Sequence, residues 1–386
     1  MKVYPLTGAI RPYAWGSRTV LAALQSRQVP SDGPEAELWL GAHPGDPATV
    51  TGPAGSVGLD TLIADDPKGR LGETVVDEFG VRLPYLMKVL AADAPLSLQA
   101  HPDAEHARAA YAAQEADPAA PRIYTDPYHK PEMLVALSPF EALCGFRDPA
   151  RSAEALAAVP VPELAPVVDA LRTGVAGLQD AVRMLLTWPA ETRPALVEAA
   201  REHGPALAGE LASRHPGDPG VLVALLLNHV RLAPGEAIWM PAGNLHAYLR
   251  GAGVEIMAAS DNVLRGGLTP KRVDVDELLA VLRFEVLDDP VLPAAPVAPG
   301  VVTWPVPVRE FALYRIELDG TRPPVEMPGA GPRIVLSVRG DVFVGEAVDG
   351  TPVEITPGAA AFVSADAGPI KAAGAGEIFV ATVPGP

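Results

Sequence analysis

The sequence has little cysteine, little positive charge and no long hydrophobic run. Cys144 is the single cysteine of 386 residues, so no disulfide can form within the chain and we expect a reducing, cytoplasmic location. A formal net charge of -17 argues against nucleic acid or a membrane surface as a partner. The longest strongly apolar run, VLVALLL at 221–227, is far shorter than the ~20 residues of a membrane-spanning helix. The opening segment MKVYPLTGAIRPYAWG also lacks the apolar core of a signal peptide.

The pattern of apolar residues divides the chain into β-rich and helical parts. Residues 1–147 and 229–290 contain short apolar runs separated by Gly, Pro and Asp, which is typical of strands. Residues 148–228 have apolar residues at helical spacing, and their first motif, DPARSAEALAAV, opens with an Asp cap and a Pro at the first helical position. After the linker DDPVLPAAPVAPG, residues 298–386 are again β-rich. We therefore predict a mostly β fold with an all-α insertion, and a short helix in KRVDVDELLAVL.

The segment SLQAHPD places Gln99 and His101 two residues apart in an apolar, strand-like stretch. Side chains two apart in a strand point to the same face of the sheet. Two interpretations are open: a buried polar pair satisfied by the backbone, or two metal ligands supplied by one strand.

A third candidate ligand comes from the motif GEAIWMPAGNLH, which spaces Gly235, Pro241, Gly243 and His246. The motif resembles the second motif of the cupin fold, a small jelly-roll barrel that often holds a metal. The match is incomplete, because Arg250 stands four residues after the histidine, where another polar residue is usual.

A similar pattern, GAAAFVSADAG, begins at Gly358 near the C-terminus. It has Ser364 where the proline would stand and contains no histidine. We interpret residues 298–386 as a second, degenerate cupin-type jelly roll without a metal.

Glu132 lies in HKPEM, directly before an apolar strand-like run, where a carboxylate is costly to bury unless it is paired or coordinated. Gln99, His101, Glu132 and His246 together offer imidazole and oxygen ligands, which suit zinc, manganese, cobalt or iron. A set without thiolates favours a catalytic ion with an open position over a closed structural site.

The segment ASDNVLRGGLTPKRVD carries a cationic group that includes Arg265 and Lys271. Asp261 lies in the same segment. Arg265 and Lys271 could hold a phosphate, the arginine through its planar fork. The alternative is a polar turn that leads into a helix capped near Thr269. Lys88, flanked by apolar residues, either reaches the rim or is held in a site.

Several of these motifs resemble the type I phosphomannose isomerases. They are LPYLMKVL, PLSLQAHPD, HKPEM, PAGNLHAYL and SDNVLRGGLTPK, together with RPYAWG and AELWLGAHP near the start. The resemblance implies a zinc enzyme, with one zinc per chain, that interconverts mannose 6-phosphate and fructose 6-phosphate and links glycolysis to mannose and GDP-mannose metabolism. It also implies a cupin core, a helical insertion and a second jelly roll.

Carried over to this sequence, the resemblance implies a role for each motif residue. The zinc ligands are Gln99, His101, Glu132 and His246. Arg265 is catalytic. The remaining positions line the pocket: Lys88, Ser97, Lys130, Tyr248, Asp261 and Lys271. Among these, Lys130, Asp261 and Tyr248 are further catalytic candidates, and Lys88, Ser97 and Lys271, with Arg265, are candidates for the phosphate.

The implied reaction moves a proton between C1 and C2 through a cis-enediol, which needs charge stabilisation on oxygen and a general base. The sequence leaves the base open among Lys130, Asp261, Glu255 and a zinc-bound water. Three rival functions are also open: an iron-dependent cupin dioxygenase, a non-enzymatic sugar-binding cupin, and an isomerase of another aldose. We expect a monomer, and a structural or surface role for His43, His106 and His129.

Overall fold

A computed structural model describes residues 2–52, 55–119, 121–321, 323–329, 331–346 and 352–385. Strands dominate these residues and form two sheets. In chain order the strands are β1 (Val3–Thr7), β2 (Ala9–Arg11), β3 (Glu37–Leu40), β4 (Thr49–Gly52), β5 (Gly55–Gly58), β6 (Tyr85–Ala92), β7 (Leu98–Ala100), β8 (Glu132–Ala136), β9 (Phe140–Phe146), β10 (Leu227–Leu232), β11 (Ala237–Met240), β12 (His246–Ala258), β13 (Leu264–Gly267), β14 (Val291–Leu292), β15 (Ala295–Ala298), β16 (Val301–Thr303), β17 (Ala312–Asp319), β18 (Val325–Glu326), β19 (Arg333–Glu346), β20 (Pro352–Ile355), β21 (Ala360–Val363) and β22 (Lys371–Thr382).

Helices lie mainly between β5 and β6 and between β9 and β10. They are α1 (Val20–Leu24), α2 (Leu59–Asp65), α3 (Pro67–Leu71), α4 (Glu73–Phe79), α5 (Ala104–Ala116), α6 (Pro149–Ala157), α7 (Ala165–Arg172), α8 (Leu178–Leu186), α9 (Arg193–His203), α10 (Ala206–Arg214), α11 (Gly220–Ala224) and α12 (Val275–Val281). Within the described part of the chain, no helix has the length and hydropathy that a bilayer span requires.

The first sheet is organised by its longest strand, β12. Residues 246–250 of β12 pair with β9 and, at His246, with β7, whereas residues 251–258 pair with β6 and β8. The strand changes partners at Gly251, which has φ 117°. A Cβ atom there would lie 2.7 Å from the Phe140 ring, so only glycine fits this passage. One strand therefore carries residues that face two different sets of neighbours.

The second sheet combines the C-terminal strands with strands from the start of the chain. Its order is β15-β16-β17-β22-β19-β21-β1-β4-β5, with β18 and β20 attached at β22 and β19. The pairing of Val3 with Val363 joins the two ends of the sequence. The division of the chain into 1–147, 148–228, 229–290 and 298–386 stays a prediction.

The predicted block of helices is confirmed: α6 to α11 lie between β9 and β10. The helix α6 begins as its sequence indicates, with Pro149 at the first position and the Asp148 carboxylate accepting a hydrogen bond from the Ala150 N–H at 2.8 Å. The short helix of KRVDVDELLAVL is also confirmed as α12. Its cap is Asp274, which accepts from the Glu277 N–H, so the alternative of a cap near Thr269 is wrong.

Two clusters of buried apolar side chains hold the two sheets and the helical block together. One cluster spans the facing sheets and contains both Met87 of β6 and Phe379 of β22. The other joins the helical block to the first sheet and contains both Leu185 of α8 and Leu143 of β9. Burial of such side chains contributes about 1.5–3 kcal/mol each. The helical block is therefore packed onto the strands that carry the candidate site.

Tyr85 makes a polar connection between the two sheets. Its buried hydroxyl, on β6, lies 3.0 Å from the carbonyl oxygens of both Pro332 and Ala381 and shares its one proton between them. Because Tyr85→Phe leaves buried acceptors without a donor, we expect a loss of about 1–3 kcal/mol in the free energy of unfolding, measured by urea denaturation. Tyr111→Phe on α5 is the matched control, and an equal loss in both variants would contradict this explanation.

Candidate active site

Strand pairing brings three of the predicted site residues into one row. Gln99 of β7 pairs directly with His246 of β12 on one side and with Arg265 of β13 on the other. Residues directly opposite each other in antiparallel strands project from the same face. The side chains of Gln99, His246 and Arg265 therefore project from one face of the sheet, although the three residues are far apart in the sequence.

His101 and His246 are each held by a backbone carbonyl. The Nδ1 atom of His101 lies 2.7 Å from the carbonyl oxygen of Asn262, and that of His246 lies 3.0 Å from the carbonyl oxygen of Asn244. A carbonyl oxygen only accepts, so each Nδ1 carries the proton and each Nε2 keeps a free lone pair. Both rings are buried, and their centroids are 5.1 Å apart.

The two Nε2 atoms converge on the carboxylate of Glu132, the first residue of β8. Its Oε2 lies 3.5 Å from His101 Nε2 and 3.3 Å from His246 Nε2. The candidate ligand atoms of the three residues all lie within 4.8 Å of one another. Neither Nε2 has a hydrogen-bond partner in the part of the chain that the structure describes. Lone pairs that face a carboxylate repel it unless a cation lies between them.

The electrostatics of this group favour a neutral His101 imidazole beside a charged Glu132 carboxylate. Burial lowers the pKa of His101 to about 4, although Glu132 opposes the shift. Burial alone would raise the pKa of Glu132, but the positive charge of Lys130 holds it well below its usual range. The Lys130 ammonium lies 3.2 Å from Glu132 Oε1. A metal requires these protonation states in its ligands.

Lys88 forms a second buried charge cluster beside the first. Its ammonium lies 3.0 Å from Glu255 Oε2 and 3.7 Å from Glu37 Oε1. The Tyr248 hydroxyl donates to Glu255 Oε1 at 2.6 Å, and the Trp39 indole N–H donates to Glu37 at 2.7 Å. Burial lowers the pKa of Lys88, but the two carboxylates outweigh burial, so its pKa is raised and the amine stays charged.

Replacing Lys88 with methionine should reduce the free energy of unfolding by about 3 kcal/mol at neutral pH, because two buried carboxylates then lose their cation. Without Lys88, the pKa of Glu255, which burial already raises, would rise further in the folded state only. Stability is therefore lost as the pH rises, and the deficit should shrink below about pH 4. Urea denaturation at several pH values measures this dependence. Lys68→Met, at an exposed ion pair, is the control, and a deficit that does not vary with pH would contradict the account.

A cavity of about 690 Å³ opens beside these groups. Most of the predicted site residues line it: Lys88, Ser97, Gln99, Lys130, Asp261, Arg265 and Lys271. The ring of Tyr248 is buried, and its hydroxyl contacts Glu255. Asp261 lies 3.3 Å from the Nε2 of buried His43, a contact that lowers the pKa of Asp261.

Two residues of the candidate site were not predicted from the sequence. His43, expected to be structural or on the surface, is buried and pairs with a cavity residue, whereas His106 and His129 pair with Glu277 and Glu310. The role of Glu37 was also missed. Glu37 alternates with Trp39 in ELWL, which predicts a shared face of the strand. Nothing in the sequence indicates that the strand register places Lys88 opposite Trp39, within reach of Glu37.

Comparison with known proteins decides the family. A sequence profile for the phosphomannose isomerase type I catalytic domain matches residues 3–149. Mannose-6-phosphate isomerase from Escherichia coli K12 is 35% identical over 97% of both chains, and the Homo sapiens protein of the same name is 31% identical over 95% of this chain and 94% of its own. The chain belongs to the phosphomannose isomerase family. The resemblance seen in the sequence motifs is thus confirmed.

Solved phosphomannose isomerase structures share the whole fold. A variant of the Salmonella typhimurium enzyme superposes with a TM-score of 0.91 at 32% identity, covering 99% of this chain and 100% of that one. A zinc-bound holo mannose 6-phosphate isomerase superposes with a TM-score of 0.89 at 33% identity and the same coverage. The mostly β, cupin-type fold with a helical insertion is therefore confirmed.

Proposed function

We propose that this chain is a zinc-dependent isomerase that interconverts D-mannose 6-phosphate and D-fructose 6-phosphate. One observation carries the proposal: among the described residues, two imidazole nitrogens without hydrogen-bond partners converge on a buried carboxylate, next to a cavity lined by cations that form no ion pair. Membership of the phosphomannose isomerase family supports the same substrate pair.

The residues present fit a zinc ion. Tetrahedral zinc bonds of about 2.1 Å separate neighbouring ligand atoms by about 3.4 Å, and the His–Glu distances of 3.5 and 3.3 Å agree with that value. His101, His246 and Glu132 would hold the ion, and we propose Gln99 as the fourth protein ligand. When bound, zinc supplies a Lewis acid that polarises the sugar carbonyl and stabilises negative charge on oxygen.

The cationic residues of the cavity would bind and stabilise the anionic parts of the substrate. Arg265 lies in register with Gln99, so its guanidinium is placed to stabilise charge that develops on a sugar oxygen near the imidazoles. Lys271 and the Ser97 hydroxyl, which line the same cavity, would bind the phosphate with Arg265. Lys88 is held by two carboxylates and would orient Glu255 and Glu37.

Proton transfer between C1 and C2 needs a group that reaches the substrate. Asp261 and Lys130 both line the cavity. Glu255 lies against Lys88 and Tyr248, and burial raises its pKa. We propose Asp261 and Lys130 as the proton-handling residues, with Tyr248 and Glu255 acting through the buried network behind them.

Incubation of the metal-loaded protein with mannose 6-phosphate in deuterated water tests this function. The expected product is fructose 6-phosphate with deuterium incorporated at C1 through a cis-enediol, detected by NMR. A chelator should abolish turnover, and added zinc should restore it.

Two results would contradict the proposal. Turnover that persists after complete removal of the metal would exclude a metal-dependent reaction. Absence of turnover by fully loaded protein would exclude mannose 6-phosphate as the substrate.

We further propose that the protein acts as a cytoplasmic monomer that binds neither nucleic acid nor membranes. The supporting facts are the net charge of -17 and the buried, unpaired Cys144. Analytical ultracentrifugation of the purified chain tests the monomer, and a concentration-independent dimer would contradict it.

A further inference from the structure

In the part of the chain that the structure describes, five lysine and arginine side chains line the candidate active-site cavity, and they fall into two groups. Lys88 and Lys130 contact buried carboxylates, so their charges are compensated. The other three line the cavity without such a partner: Arg214, Arg265 and Lys271. Among the described residues, no ion pair or side-chain hydrogen bond involves these three cations. An acidic protein thus leaves three positive charges unpaired at one cavity.

Arg214 differs from the other two cations because it comes from the helical block. It is the last residue of α10, and its side chain is exposed at the cavity. Arg265 and Lys271 belong to β13 and to the turn that follows it. The helical block therefore contributes a charge to a cavity that is otherwise lined by residues outside it, apart from the neighbouring His215.

The chain just after Arg214 is fixed against the turn that carries Arg265 and Lys271. Asp218 accepts hydrogen bonds from the Thr269 N–H at 2.9 Å and the Gly220 N–H at 2.8 Å. The backbones of Gly220 and Gly267 are in direct contact. A Cβ atom on Gly220 would lie 2.7 Å from the Gly267 Cα, and the reverse substitution would give 2.5 Å. Two glycines and one carboxylate therefore attach the helical block at this point.

We propose that Arg214 is a phosphate-binding residue of the active site, and that Asp218 is the residue that positions it. The inference rests on the proposed function, since it assigns the phosphate of the sugar to one side of the cavity. On that side the positive charges of Arg214, Arg265 and Lys271 have no carboxylate partner among the described residues. A guanidinium offers two parallel N–H donors to phosphate oxygens, which a point charge does not. The helical insertion thereby contributes to the recognition of a phosphorylated substrate.

The test compares the wild-type chain with Arg214→Ala and uses inorganic phosphate as the probe. Because a charge-assisted hydrogen bond is lost, phosphate affinity measured by calorimetry at low salt should fall about 10- to 100-fold. The KM for mannose 6-phosphate should rise by a similar factor while kcat changes less than about twofold, since the contact is equal in ground and transition states. Arg201→Ala, at an exposed arginine on α9, is the control and should change neither value.

A double-mutant cycle tests the positioning role of Asp218. Asp218→Ala should weaken phosphate binding more in the wild-type background than in the Arg214→Ala background, where only its hydrogen bond to the turn at Thr269 still matters. An equal loss in both backgrounds would show that Asp218 does not act through Arg214 and would overturn this part of the inference.

The outcomes separate this inference from the proposed function. Equal phosphate affinity in the wild type and Arg214→Ala overturns the inference even when mannose 6-phosphate is turned over. A wild-type chain that binds no phosphate also overturns it. Weaker phosphate binding by Arg214→Ala, together with no turnover of mannose 6-phosphate by the wild type, supports the phosphate site and contradicts the proposed function.

Discussion

Replacing His101 with alanine should remove most of the bound zinc and abolish turnover of mannose 6-phosphate. The substitution deletes one of the two nitrogens that face Glu132 and have no hydrogen-bond partner in the described ranges of the chain. Loss of a direct ligand should lower metal affinity by more than the ~10- to 100-fold typical of residues that support a ligand from behind. Zinc content after dialysis, measured by mass spectrometry, and the initial isomerisation rate are the two readouts.

His203→Ala is the matched control, because His203 ends α9 with an exposed side chain. It should keep one zinc per chain and the wild-type rate. If His101→Ala retained one tightly bound zinc and full activity, the proposed set of zinc ligands would be wrong.

Replacing Arg265 with alanine should reduce kcat by about 100- to 1000-fold, the range for loss of a group that stabilises transition-state charge. Zinc content should stay at the wild-type level, because Arg265 pairs with Gln99 through the backbone and is not a proposed ligand. Arg265→Lys should recover only part of the rate, since an ammonium keeps the charge but lacks the planar fork. Steady-state kinetics together with metal analysis separates this effect from loss of the metal.

Arg272→Ala provides the control for Arg265, because Arg272 is exposed and lies outside the cavity lining. Its kinetic constants should match those of the wild type. A fall in kcat of Arg265→Ala that is accompanied by loss of zinc would contradict the assigned role, and so would an unchanged kcat.

The sequence predicts features that short-range rules determine. An Asp followed by Pro predicted the start of α6, because the cap and the fixed proline φ act within one helical turn. The spacing of Gln99 and His101 predicted one shared strand face, since the period of a strand is two. The strand β7 ends at Ala100, so His101 lies one residue beyond it, and the shared face stays a prediction. The arrangement of His101, Glu132 and His246 was reached through motif resemblance, and the structure brings all three within 4.8 Å of one another.

Features that depend on the pairing of residues distant in the chain could not be predicted from the sequence. The pairing of β1 with β21 joins distant residues, such as Val3 with Val363, and no local pattern specifies it. The contact of Lys88 with Glu37 depends on the register of β3 against β6. Arg214 resembled any other charged residue on a solvated helix, and only the docking of the helical block brings it to the cavity.

Zinc-edge anomalous diffraction from crystals of the metal-loaded chain tests the central claim most directly. The account predicts one strong anomalous peak about 2.0–2.2 Å from His101 Nε2, His246 Nε2 and a carboxylate oxygen of Glu132, with the Gln99 side-chain oxygen completing the protein ligands. Zinc bound elsewhere in a chain that turns over mannose 6-phosphate, with no peak between these residues, would contradict it.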